Sequence, residues 1–153
     1  LACTMTDNVE VLFAKLDENA IAPTQGSKSA AGWDLRALDA TEVFKGKSTK
    51  IRTGLVVAIP DGWEGQIRSR SSLGAKGMIM PNGVGTIDSD YRGELMVLAT
   101  RIGEGDSIKL AKGERIAQML IAPVPNTTYR EVSLETLSKT ERGEGGFGSS
   151  GRF

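Results

Sequence analysis

The sequence of 153 residues contains no histidine and only one cysteine, Cys3. A disulfide within the chain is therefore impossible, which agrees with a reducing compartment such as the cytoplasm. Zinc sites built from several histidine and cysteine ligands are excluded, including those of zinc-dependent deaminases. Histidine cannot serve as a general base, so a hydrolytic reaction in this protein would rely on a carboxylate.

The chain also lacks an excess of charge and any long apolar run. Lys+Arg and Asp+Glu are both 19, which argues against a nucleic-acid-binding surface. No apolar run approaches the roughly 18 residues that cross a bilayer, so we expect no membrane partner. The start, LACTMTDN, lacks signal-peptide features. We expect residues 1–5 to be disordered or vector-derived; Met5 could be the native initiator with vector-derived residues before it, which the sequence leaves open.

Helical periodicity is scarce as well, and short β-type stretches separated by glycine- and proline-containing turns take its place. These stretches are Val9–Leu16, Ile51–Ile59, Glu64–Ile67, Leu95–Ile102, Ile108–Leu110 and Ile116–Val124. Short strands at this spacing predict a sandwich or barrel. One short helix is expected after Arg70, with Ser71 or Ser72 as its N-cap. The glycine-rich end, Arg142–Phe153, cannot bury a core face and should be mobile.

Five clusters carry residue types suited to an anion, a metal or a flat ring. They are Ala30–Ala37 (AAGWDLRA), Arg68–Gly74 (RSRSSLG), Asn82–Glu94 (NGVGTIDSDYRGE), Gly113–Leu120 (GERIAQML) and Arg142–Gly151 (RGEGGFGSSG). In the first cluster, Asp34 lies between apolar neighbours, where an aspartate needs a partner or a task. In the second, Arg70 and hydroxyls at a helix start suit phosphate.

Each cluster also has a structural explanation. Asp34 could lie in a turn or at a strand edge, and the second cluster could be an ordinary capped turn. The glycines of the third predict a hairpin that a ligand can approach closely, but a polar hairpin tip would look alike. Gln118 in the fourth is most simply a buried amide with hydrogen-bond partners. A disordered linker is the default for the fifth.

The order and spacing of the five clusters resemble the trimeric all-β deoxyuridine triphosphatase family, from about Ala30 to Gly151. The strings GTIDSDYRGE and RGEGGFGSSG carry the most specific likeness. The resemblance implies a jelly-roll-like distorted β-barrel at residues 6–125, with one short helix. It also implies a homotrimer with three interface sites, and a flexible C-terminal arm, residues 126–153, that closes over a neighbouring subunit's site.

The resemblance further implies hydrolysis of dUTP to dUMP and pyrophosphate, which limits uracil in DNA and supplies dUMP for thymidylate synthesis. By motif position, Asp88 is the general base that activates a water for attack on the α-phosphorus. Mg²⁺ bridges the phosphates, and Asp34 holds the metal through a water. The phosphate-binding residues implied are Arg70, Ser71, Ser72 and Gln118 for the α- and β-phosphates, and Arg142, Ser149 and Ser150 for the γ-phosphate.

Base and sugar selection are assigned by the same resemblance to the third cluster. The groups that complement the uracil edge are Asn82, Gly85, Thr86, Ile87, Asp88 and Met96. Tyr91 lies under the deoxyribose and excludes a 2′-hydroxyl. From the arm, Phe147 stacks on uracil, and Gly148 belongs to the same substrate-binding set.

Two departures from the family pattern keep alternatives open. Ser69 stands where the second motif usually has proline, and Ser72 where it usually has glycine. The string Arg-Ser-Ser-Leu also resembles the dCTP deaminases, which share the fold and need no zinc, so a deaminase or bifunctional relative is the nearest alternative. A regulator that senses dUTP is the alternative from another class.

Overall fold

The computed structural model describes residues 8–153, so the predicted N-terminal segment 1–5 lies outside the described residues. Within 8–153 the chain forms twelve strands, one α-helix and one 3-10 turn at Leu134–Thr136. The strands are β1 (Leu12–Lys15), β2 (Thr24–Gln25), β3 (Trp33–Arg36), β4 (Thr41–Phe44), β5 (Thr49–Arg52), β6 (Leu55–Ala58), β7 (Trp63–Ser69), β8 (Met78–Ile79), β9 (Gly85–Ile87), β10 (Met96–Arg101), β11 (Ser107–Leu110) and β12 (Arg115–Pro123). Helix α1 spans Ser71–Ala75.

The strands are arranged in four antiparallel sheets. The largest has the order β2-β3-β12-β7-β9, and the others are β5-β10-β8, β1-β6 and β4-β11. Most neighbours in these sheets are distant in sequence, which is typical of long crossovers between sheets rather than of simple hairpins. The predicted all-β, jelly-roll-like distorted barrel with one short helix is confirmed.

The largest sheet separates an apolar inner face from a polar outer face. Successive strand residues point to opposite faces, so Leu35, Ile67 and Met119 are buried in the core. Their neighbours face outward, and the register aligns Asp34 and Arg68 on either side of Gln118. Asp34, Gln118 and Arg68 therefore lie side by side on the outer face, although their strands are distant in sequence.

Two local predictions were wrong. The apolar run Ile51–Ile59 is not one strand but β5 and β6, separated at Thr53 and Gly54. Gly54 has a φ of 70°, a left-handed conformation that glycine adopts without steric cost. The N-cap of α1 is Arg70, with no side-chain cap hydrogen bond, rather than Ser71 or Ser72. Both serines lie inside the first helical turn, where their hydroxyls are exposed.

The predicted hairpin in the third cluster is an open loop. Its first limb, Gly85–Ile87, pairs with β7, whereas its second limb enters β10 at Met96 and pairs with β5. The two limbs thus belong to different sheets. We call residues 82–96 the 82–96 loop.

The chain leaves the barrel at the end of β12. Every residue from 123 to 144 is exposed, and no hydrogen bond of residues 126–153 reaches a described residue before Pro125. The α-helix of the described part is far too short to cross a bilayer, and no helix there meets the requirements of a membrane span.

Candidate active site

Asp34 on β3 is held between two arginines. Its Oδ1 lies 3.7 Å from Arg70 Nε, and its Oδ2 lies 3.3 Å from Arg115 Nη1. Arg70 Nη1 also donates to the main-chain carbonyl of Arg115 at 3.1 Å. The Asp34 side chain is only 15% exposed, so these partners offset the cost of removing its charge from water.

Gln118 lies beside Asp34 on the outer face of the sheet, as the register of β3 and β12 requires. Its Nε2 donates to the carbonyl of Ser69 at 3.3 Å, which ties β12 to the end of β7 just before α1. Gly32 is packed so closely that a Cβ there would overlap Gln118 Oε1. The structure therefore brings together Asp34, Arg70 and Gln118, which were predicted as parts of one site, with Ser71 and Ser72 next to Arg70 at the start of α1. We call these five residues the Asp34 row.

The 82–96 loop encloses a cavity of about 310 Å³. Its lining includes six residues of the third cluster with predicted roles, Asn82, Gly85, Thr86, Ile87, Asp88 and Tyr91, and also Met96 just after the cluster. Gly85 lies against the barrel, where a Cβ would approach the Cβ of Ile67 to 3.2 Å. Backbone groups of the loop can thus approach a flat ligand without an intervening side chain.

Asp88 lines this cavity, directly after β9. It also borders a neighbouring, more polar cavity of about 480 Å³, to which Asp61 and Glu64 contribute. Within residues 8–153, no three acidic side chains gather closely enough to hold a metal ion by themselves. Asp88 is exposed, so its carboxylate can reach a water molecule.

The Asp34 row and Asp88 lie at opposite ends of β7. Ile87 pairs with Gly65, whereas Arg70 follows the far end of the same strand. Five residues at about 3.3 Å each separate these two points by roughly 17 Å. One chain therefore brings the residues predicted to bind the α- and β-phosphates together and, separately, the predicted base-binding residues of the 82–96 loop, but it does not join the two groups.

The predicted arm residues lie outside both groups. Arg142 Nε donates to the carbonyl of Gly145 at 2.7 Å, which closes a local turn. Phe147 has a φ of 50° and a fully exposed ring. Gly148, Ser149 and Ser150 continue in turns, and the Ser149 amide donates to the carbonyl of Gly146. Within one chain, none of these residues contacts the Asp34 row or the loop cavity.

The sequence pattern missed two charged residues of the site. Arg115 belongs to the fourth cluster, between Glu114 and Ile116, and its partner Asp34 is 81 residues away. Glu94 closes the third cluster and lines the loop cavity, but its partner Arg52 is 42 residues away. Nothing in the sequence near Glu94 indicates that partner.

Comparisons with known proteins bear on the family of this chain. The family model dUTPase matches residues 18–151. A deoxyuridine 5'-triphosphate nucleotidohydrolase of Nautilia profundicola is 46% identical over 145 residues, which cover 94% of this chain and all of the relative. The protein of the same name in Anaplasma marginale is 44% identical over 132 residues, covering 84% of this chain and 88% of the relative.

Solved structures give the same picture. The Staphylococcus bacteriophage 80alpha dUTPase with dUPNHPP superposes with a TM-score of 0.81 at 29% identity, covering 94% of this chain and 99% of that one. The dUTPase from phage phi11 of S. aureus gives a TM-score of 0.72 at 21% identity, covering 84% and 99% of the two chains. The second likeness bears on the fold alone.

Proposed function

This chain belongs to the dUTPase family and hydrolyses dUTP as a dUTP diphosphatase, and on that premise we propose how its residues share the reaction. Asp88 takes a proton from a water molecule, and that water attacks the α-phosphorus of dUTP. The bond from the α-phosphorus to the bridging oxygen of the β-phosphate breaks, so that dUMP and pyrophosphate leave. The observation that carries this assignment is that Asp88 lines the loop cavity and is exposed.

Uracil is proposed to occupy the loop cavity, where backbone groups of Gly85–Asp88 and Met96, with Asn82, complement its edge. Cytosine presents an amino donor where uracil presents an acceptor, so a fixed backbone pattern would be left with unpaired buried groups. Close packing of Gly85 against Ile67 supports a pocket too narrow for the methyl group of thymine. Tyr91 lines the same cavity and is proposed to exclude a ribose 2′-hydroxyl.

The phosphates are proposed to bind the Asp34 row. Arg70 supplies charge, Ser71 and Ser72 supply hydroxyls, and Gln118 supplies an amide donor. Negative charge on the phosphate oxygens is stabilised by fixed cations and donors. Asp34 already orients Arg70 in this structure, which supports a preorganised guanidinium.

Asp34 is proposed to hold Mg²⁺ through a water molecule. The residues fit this use: one partly accessible carboxylate, surrounded by phosphate-binding groups, suits an ion whose other ligands are phosphate oxygens and waters. When bound, the metal supplies neutralisation of charge on the triphosphate. Arg70 and Arg115 lie beside the Asp34 carboxylate and offset its charge, so the protein itself contributes little net negative charge to the metal site.

A complete site is proposed to need more than one subunit of a homotrimer. Arg70 lies roughly 17 Å along β7 from the residue that pairs with Ile87, whereas adjacent phosphates are joined by a single oxygen, which supports binding of the triphosphate by Arg70 of another subunit. The loop cavity of one subunit must then meet the Asp34 row of another. Exposed apolar side chains on the barrel, among them Leu12, Phe13 and Trp33, are the kind of surface that a subunit contact covers.

We propose the division of the chain into a barrel, residues 6–125, and an arm, residues 126–153, that closes over a neighbour's site. In the arm, Phe147 covers the uracil ring, with Gly148 beside it, while Arg142, Ser149 and Ser150 bind the γ-phosphate. The exposed positions of these groups in one chain support a role that depends on a partner or substrate.

Pyrophosphate release from dUTP, measured beside dCTP, UTP and dTTP with and without magnesium, tests the proposed selection. We expect turnover of dUTP alone, strongly reduced without the metal. Comparable release from UTP or dTTP would contradict the assigned roles of Tyr91 and the loop. Ammonia release from dCTP would favour a deaminase instead.

A further inference from the structure

The second limb of the 82–96 loop is fastened to the barrel at Leu95. Its carbonyl accepts a hydrogen bond from Thr53 Oγ1 at 2.6 Å, and its amide donates to the carbonyl of Leu55 at 2.8 Å. Thr53 and Leu95 are both buried. The backbone of the limb is therefore fixed at one residue, three positions after the loop tip ends at Arg92.

Glu94, directly before this anchor, makes the most extensive side-chain ion pair of the described residues. Arg52 Nε lies 3.2 and 3.1 Å from its two carboxylate oxygens, and Arg52 Nη2 donates to Oε1 at 2.9 Å. The Glu94 side chain is only 8% exposed, whereas that of Arg52 is 49% exposed. Planar, two-pronged pairing of this kind fixes orientation as well as distance.

The pKa of Arg52 is raised above its ordinary value because Glu94 accepts its hydrogen bonds. The guanidinium therefore stays charged throughout any practical assay range. An uncharged substitute for either partner would leave the other charge without this contact.

Tyr91 depends on the same residue for its position. Its hydroxyl donates to the main-chain carbonyl of Glu94 at 3.1 Å. The ring also folds over Gly93 so closely that a Cβ on Gly93 would overlap it. Apart from this hydroxyl, the tip is held by local contacts, such as the Tyr91 amide to the carbonyl of Asp88.

We propose that Arg52 and Glu94 are positioning residues that set the Tyr91 ring in the loop cavity and thereby control discrimination between deoxyribose and ribose. This inference rests on the proposed function of Tyr91. The ion pair fixes Glu94, the Glu94 carbonyl fixes the Tyr91 hydroxyl, and the ring then limits the space beside the sugar. Arg52 touches no substrate in this arrangement and acts only through Glu94.

The test measures kcat/KM for dUTP and UTP in Glu94→Gln, Arg52→Gln and the double variant. We expect each single variant to lower the dUTP-to-UTP ratio by about two- to fivefold, a modest effect because one partner is exposed. The double variant should lower it no further than the single ones, since both changes break one interaction. Tyr91→Phe, which keeps the ring but removes its tether, should lower the ratio in the same way.

Glu42→Gln is the matched control. It neutralises a carboxylate that accepts a hydrogen bond from Ser107 at 2.6 Å in the separate β4-β11 sheet. This variant should leave the ratio unchanged, even if its melting temperature falls. A purely structural role for the Arg52–Glu94 pair would lower the melting temperature without moving the ratio, and that result would overturn the proposal.

Tyr91→Ala separates failure of this inference from failure of the proposed function. If Tyr91→Ala lowers the ratio and the Glu94 and Arg52 variants do not, only the positioning role is wrong. If Tyr91→Ala also leaves the ratio unchanged, the assigned role of Tyr91 is wrong and the inference fails with it. Additive effects of Arg52→Gln and Glu94→Gln would likewise contradict the single-pair mechanism.

Discussion

The barrel and the arm of this protein hold their proposed functional residues in two physically different ways. In the barrel, Asp34 and Gln118 are set by strand register, and each has a hydrogen-bond or ion-pair partner. In the arm, Phe147 is fully exposed, and Arg142 contacts only its own turn. Burial determines the geometry of the first group, whereas nothing within one chain determines the geometry of the second.

Because of this difference, we expect mutations to separate ligand selection by the barrel from closure of the site by the arm. Under the proposed roles, residues held by the barrel select a ligand before anything moves. Residues of the arm are then ordered at the moment of binding, which costs conformational entropy that substrate contacts have to offset. An arm of this kind can close over the reacting groups and exclude water.

Asp88→Asn should produce the largest change, because it removes the proposed general base from the barrel side. We expect kcat for dUTP to fall by about 10²- to 10⁴-fold. Binding of the dUTP analogue dUPNHPP, measured by calorimetry, should persist. Turnover close to wild type would refute the assignment of Asp88 and would weaken the separation between a selecting barrel and a closing arm.

A chain ending at Glu141 tests the proposed role of the arm. Because Arg142, Phe147 and the two arm serines are lost, turnover should be nearly abolished. Since no arm residue is part of the buried core, the melting temperature and the oligomeric state should stay as in the full chain. Scanning calorimetry and light scattering check both, and undiminished turnover would argue against closure by the arm.

The smallest effect on function is expected from two variants that compare how much the barrel core and the arm contribute to the free energy of unfolding. Leu35→Ala empties part of the core at a fully buried residue and should lower the free energy of unfolding by about 2–5 kcal/mol. Leu134→Ala changes an arm side chain that is 79% exposed and should change it by less than about 0.5 kcal/mol. Denaturant unfolding measures both. A large loss at Leu134 would mean that the arm is packed in the assembled protein.

The sequence predicted the class of fold well because alternation and turn residues are local signals. The strands at Leu95–Ile102 and Ile116–Val124 correspond to β10 and β12 within one or two residues. The break at Gly54 was missed because the alternation of apolar residues continues through it. The open form of the 82–96 loop was missed because pairing with β5 and β7 depends on residues distant in sequence.

The site followed the same rule. Motif order placed Asp34, Arg70 and Gln118 in one predicted site, and the structure brings these three residues together. The roles of Arg115 and of the Arg52–Glu94 pair needed tertiary contacts, because each partner lies on another strand. The roughly 17 Å along β7 between the residue that pairs with Ile87 and Arg70 also follows only from strand register, and it is the strongest reason to assign one site to several subunits.

Co-expression of Asp88→Asn with the chain ending at Glu141 tests that shared site most directly. Either variant alone lacks one required element in every site. If the base and the arm of one site come from different subunits, mixed trimers should regain activity in about a quarter of their sites. Purified mixed protein that hydrolyses dUTP no faster than either variant alone would contradict a site shared between subunits.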